Sequence, residues 1–213
     1  LEVGQVRIFS FILWHHVTYL VVTVTLLGFA AGGTCAALIR SNDSLRRAAR
    51  GALWFALLSV GVFALLAHHR IALLTDTTGK NPAIKAALAY LYLVLPFLAG
   101  GLAVAAALDG EGRVVSRRYG VNMIGSALGA VLSLLVLPHV GGGGLVLVAG
   151  ALGAGGAACF GHAAALPKLT AISALVMLAC VLGLPVADRL FPFQVAAGKA
   201  LEVDLEHGTP ILE

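Results

Sequence analysis

Charged residues make up only 11% of this 213-residue chain, against roughly a quarter in an ordinary soluble domain. With 60% hydrophobic residues and a mean hydropathy of +0.97, a water-soluble fold of this length has too little polar surface to cover itself. The apolar residues come in long unbroken blocks and not on one helical face, the pattern of helices surrounded by lipid or protein on all sides. Cysteine is also scarce. Cys35, Cys159 and Cys180 each stand alone in an apolar run without CxxC spacing, which excludes a disulfide framework and leaves them as small apolar helix residues.

Catalytic machinery is missing as well. No nucleophile is paired with a base, no two carboxylates lie at working spacing, and no phosphate-binding loop is present. The run GALGAGG follows an apolar helix and not a strand, and no acidic residue occupies the ribose position about 20 residues on, which excludes a dinucleotide fingerprint. The start, LEVGQVRIFSFILW, lacks the basic region and small-residue cleavage site of a signal peptide. It reads as the second half of a helix, so the expectation is a chain incomplete at both ends.

What is present is a series of apolar segments. About 20 residues span the hydrocarbon of a bilayer, and the charged or Pro/Gly-rich breaks give about seven: 1–16 (truncated), 17–39, 52–74, 86–108, 121–139, a sixth ending near 166, and 170–186. The expected fold is an all-α polytopic membrane helix bundle over 1–187. An amphipathic extramembrane tail, 188–213, follows. Arg40, Arg46, Arg47, Arg50, Arg113, Arg117, Arg118 and Lys168 fall on one side, and Arg70, Lys80, Lys85, Arg189 and Lys199 on the other. The positive-inside rule then makes loops 40–51 and 109–120 cytoplasmic, in the inner membrane of a bacterium, with the tail outside. The net charge of +4 is thus a topology signal and not a nucleic-acid footprint.

Three groups of residues are candidates for function or packing. Glu2 and Arg7 are ionisable groups inside a membrane segment, where each costs at least about 2.5 kcal/mol unless paired or wetted. Five positions apart, they face different directions and are expected to pair with other helices. His15, His16, His68, His69 and His139 fall at one membrane face, as a bis-histidine haem, a transition metal or a quinone headgroup would require. Gly28 with Gly32, and Gly125 with Gly129, form GxxxG pairs that allow close helix approach in lipid. Pro96 and Pro185 mark expected kinks.

Several stretches together, LEVGQVRIFSFILW, LLGFAAGG, YLVLPFLAGG, RRYGVNMIGSALGAVLSLLVLP and FPFQVAAGKALEVDL, resemble the membrane portion of multi-pass spermidine synthase-like proteins. The Tyr119-Gly120-Val121-Asn122 entry to the glycine-patterned helix is the most specific part. The resemblance implies that a soluble Rossmann-like aminopropyltransferase domain follows Glu213 and holds any transferase chemistry. This chain would then be an anchor and a binding or transport module for an amine or another small molecule. The alternative from the histidines is a membrane subunit of a redox complex, partnered by other membrane subunits.

Overall fold

Lipid offers no hydrogen bonds to a backbone, so a chain of this composition satisfies its amides within helices. The computed structural model describes residues 2, 6, 15–39, 43–68, 82–110 and 112–191, with the backbone alone for 15–20, 82–89, 112 and 188. Among the described residues every regular element is helical. The order is α1 (His15–Leu38), α2 (Ser44–His68), α3 (Pro82–Leu108), α4 (Gly112–Ala163) and α5 (Pro167–Gly183), then a 3-10 turn (Leu184–Val186) and the short α6 (Ala187–Leu190). Among the described residues five helices are long and apolar enough to cross a membrane. Of the expected first segment, 1–16, the described residues are Glu2 and Val6, which are helical, and His15 and His16, which open α1; the tail from 192 lies outside the described residues.

The fourth helix spans 52 residues, or about 78 Å at 1.5 Å per residue, more than twice the hydrocarbon thickness. Gly141, at φ 66° and ψ 179°, breaks it into limbs 112–140 and 142–163. Residues at the start of the first limb (Arg113, Asn122) and at the end of the second (Leu152, Phe160) line one cavity. In a straight rod Arg113 and Phe160 would be about 70 Å apart, so the limbs fold back on one another. The sequence predicts a turn made by the four glycines 141–144, whereas the change of direction is concentrated at one residue. Only glycine adopts that backbone conformation without strain. A Cβ at Gly143 would sit 3.0 Å from Ala187 O and Phe191 Cβ, so the turn is seated directly on α6.

Helix starts also differ from the hydropathy reading. The third expected segment begins at Ser44 and not at 52, and the fifth at Gly112 and not at 121. The added turns carry Arg46, Arg47, Arg50, Arg113, Arg117 and Arg118, whose long side chains let a helix continue past the apolar region. Pro96 is fully buried inside α3, which continues through it. Pro185 lies in the 3-10 turn that ends α5.

In packing order α1 lies on α3, α3 on α2, α2 on the second limb of α4, and that limb on α5. Glycines set these approaches. A Cβ at Gly28 would lie 2.6 Å from Phe97 Cβ, and one at Gly150 would lie 2.7 Å from Val60 Cγ2. The main core, containing Val21, Phe63, Leu66, Leu93, Val146 and Phe191, occupies the end opposite the basic residues. A smaller cluster of Ala52, Leu53, Ala103 and Ala157 lies nearer the basic end.

Candidate functional site

The basic end is built by two arginines that reach back to the helices before them. From the first turn of α2, Arg47 donates to Ala36 O at 3.1 Å and Ile39 O at 2.7 Å, where α1 ends, and to an Asp109 carboxylate oxygen at 2.9 Å, just beyond α3. Arg118, in α4, donates to Ala107 O at 3.3 Å and Asp109 O at 2.6 Å. Terminal helix carbonyls lack intrahelical partners and carry partial negative charge, so a guanidinium both satisfies and neutralises them. The ends of α1 and α3 and the starts of α2 and α4 are thereby tied together. A polar groove of about 870 Å³ surrounds the Arg47–Asp109 pair.

Between the limbs of α4 and the bundle lies a larger cavity of about 1050 Å³, at the upper end of the roughly 300–1,000 Å³ typical of ligand pockets. Its interior is apolar, with Phe29, Phe55, Val104, Leu152 and Phe160 prominent. Phe55 enters because it passes between two glycines: a Cβ at Gly100 would lie 3.1 Å from its ring, and one at Gly153 would lie 2.7 Å away. Gly156, in contrast, lines the cavity, and a Cβ added there would meet nothing within 4 Å, so the space beside it is open. The cavity's polar side chains are Arg113, Arg117, Arg118, Asn122 and Cys159.

One stripe of the first limb faces this space. Arg113, Arg117, Val121 and Asn122 recur at helical spacing. Beyond Asn122 the i, i+4 row winds away from the cavity by about 40° per step, and an added Cβ at Gly125 or Gly129 would meet no described residue within 4 Å. The two GxxxG pairs therefore differ. Gly28 and Gly32 lie against Phe97 and Leu98 of α3, whereas Gly125 and Gly129 meet no other described residue.

His15, His16, His68 and His139 lie towards the other end, whereas His162 is in the last turn of α4 at the basic end. His15 and His16 open α1, His68 is the last residue of α2, and His139 precedes the break at Gly141. His68 Nδ1 lies 3.0 Å from Ala64 O and His139 Nδ1 lies 3.0 Å from Leu135 O, so each ring lies along its own helix. Among the described residues no group of three or more His, Cys, Asp or Glu side chains is placed to hold a metal ion. Glu2 is half-buried in a helical position, while Arg7 and His69 lie outside the described residues.

Arg113, Arg117 and the phenylalanines of the cavity are functional candidates that the sequence reading misses. The available signal is the i, i+4, i+8 spacing of Arg113, Arg117 and Val121, which becomes informative once the helix is known to start at Gly112. Comparison with known protein families, characterised proteins and solved structures finds no match to this chain.

Proposed function

We propose that this chain is a membrane-embedded anchoring and binding module, the membrane domain of a spermidine synthase-like multi-pass protein, and that its ligand occupies the cavity between the limbs of α4. The observation that carries the binding half is the cavity itself, apolar inside and basic at one end. The motif series from LEVGQVRIFSFILW to FPFQVAAGKALEVDL supports the family half. In this reading α1, α2, α3, the two limbs of α4, and α5 make six crossings. The basic end is cytoplasmic.

Topology and charge refine what such a module does. α5 starts beside Lys168 and leads to the end opposite the basic residues. A soluble domain carried by the tail then works outside the cytoplasm, away from cytosolic adenosylmethionine-type substrates. A protonated amine would also meet three guanidinium groups at the cavity, and like charges in a partly desolvated site repel. Anchoring with capture of a non-cationic ligand fits these features better than polyamine synthesis.

The complete open reading frame tests the family half: a Rossmann-type glycine-rich strand-helix turn downstream of residue 213 is expected, and its absence overturns that half. Extraction and mass spectrometry of the purified protein test the binding half. A stoichiometric apolar or amphipathic ligand that Gly156→Leu expels is expected, and a chain that retains none overturns it.

A further inference from the structure

We infer that the occupant of the cavity is an anionic membrane lipid, its phosphate held by Arg113 and Arg117 and an acyl chain lying among Phe29, Phe55 and Phe160. This rests on the reading of the cavity as a binding site and names the class of its ligand. The first argument is charge complementarity. Among the described residues, three guanidinium groups and Asn122 line the cavity and no carboxylate does. Arg118 is committed to the carbonyls of Ala107 and Asp109. Among the described residues, no ion pair or side-chain hydrogen bond engages Arg113 or Arg117, both of which are exposed. Guanidinium groups beside a membrane helix are matched by anionic lipid headgroups, and each such charge strengthens the attraction.

The second argument is the order of polarity along the stripe. From the end of the helix inward it runs Arg113, Arg117, Val121, and the cavity beyond is walled by Phe29, Phe55 and Leu152, which is headgroup chemistry first and hydrocarbon chemistry after it. On the facing limb Gly156 adds no bulk, and a Cβ there would meet no described residue within 4 Å. A soluble anion such as free phosphate would leave the apolar part of the cavity empty, whereas close packing is the rule for protein interiors. A lipid satisfies both regions with one molecule. The first limb has little contact with α3, so the space between them is reachable from the bilayer.

The test uses the full chain in nanodiscs of equimolar phosphatidylglycerol and phosphatidylcholine, followed by native mass spectrometry of the lipid retained in detergent. One phosphatidylglycerol per chain is expected, preferred over phosphatidylcholine by about tenfold, given that each basic residue adds appreciably to the attraction. The double variant Arg113→Gln/Arg117→Gln is expected to keep one lipid and lose the preference. Gly156→Leu is expected to retain none. Equal retention of the two lipids, or a preference unchanged in the double variant, overturns the anionic class. If that lipid is still expelled by Gly156→Leu, the binding reading itself survives. Retention of no lipid by the unmodified chain, or a second copy of the chain in its place, overturns both. The arginine variants alter exposed positions, so the question remains decidable even if Gly156→Leu fails to fold.

Discussion

Arg47 lies 2.9 Å from a carboxylate oxygen of Asp109, and the same guanidinium caps the end of α1 through the carbonyls of Ala36 and Ile39. The two kinds of contact have unequal weight. Asp109 is about half exposed, its side chain at 53%, whereas that of Arg47 is at 16%. An ion pair with one partner so wetted contributes about 0–1 kcal/mol. The carbonyl contacts are charge-assisted, the one to Ala36 O partly buried, and together they satisfy helix-end carbonyls, so they are worth more. Arg47→Met should therefore destabilise the bundle by about 2–3 kcal/mol, and Asp109→Asn by less than about 1 kcal/mol. Unfolding in mixed detergent measures both, and equal losses would refute this division.

The contrast between the two GxxxG pairs gives a second prediction. A Cβ at Gly32 would collide with the Leu98 carbonyl and come within 2.7 Å of Leu102 N, both backbone atoms of α3 that cannot move aside alone. Gly32→Ala should cost about 1–3 kcal/mol, as overpacking does. Gly125→Ala and Gly129→Ala meet open space and should be neutral or stabilising by up to about 1 kcal/mol, because alanine is the better helix former. A loss at Gly125 as large as that at Gly32 would show that another molecule packs on the first limb.

The legibility of this chain varies with the range of the interaction concerned. The helical membrane class follows from the hydropathy of blocks such as 86–108, which needs no partner to be recognised. The start of α2 at Ser44 is hidden because Arg46, Arg47 and Arg50 interrupt the apolar pattern, and what stabilises Arg47 there is the carbonyl end of α1 together with Asp109, contacts that hydropathy does not register. Spacing places Gly125 and Gly129 on one stripe, yet it carries no information about what stands opposite. The cavity depends on the fold-back at Gly141, and only that fold-back brings Arg113 near Phe160.

The fold-back itself is open to a direct test. Gly141 has φ 66° and ψ 179°, a region essentially reserved for glycine, with a cost of about 1–3 kcal/mol for other residues. Gly141→Ala should lose stability in that range. It should also alter the spacing of the limbs, and with it the separation of spin labels placed at Val114 and Leu152, both exposed residues lining the cavity. An unchanged distance distribution together with unchanged stability would mean that the turn does not depend on glycine at this position.

Orientation is the remaining prediction, and charge determines its sign. Ser116 is exposed near the start of α4 among Arg113, Arg117 and Arg118, while Leu190 is exposed at the far end of α6. A bias of basic residues toward the cytoplasm puts Ser116 inside and Leu190 outside. In a background with Cys35, Cys159 and Cys180 replaced by alanine, Ser116→Cys should react with a membrane-impermeant maleimide only after the cells are permeabilised. Leu190→Cys should react in intact cells. The reverse pattern would invert the topology and put the end of α6 in the cytoplasm. Labelling of both sites from one side would instead require an even number of crossings between them. One of the two limbs of α4, or α5, would then not span the bilayer, because those three crossings together put Ser116 and Leu190 on opposite faces.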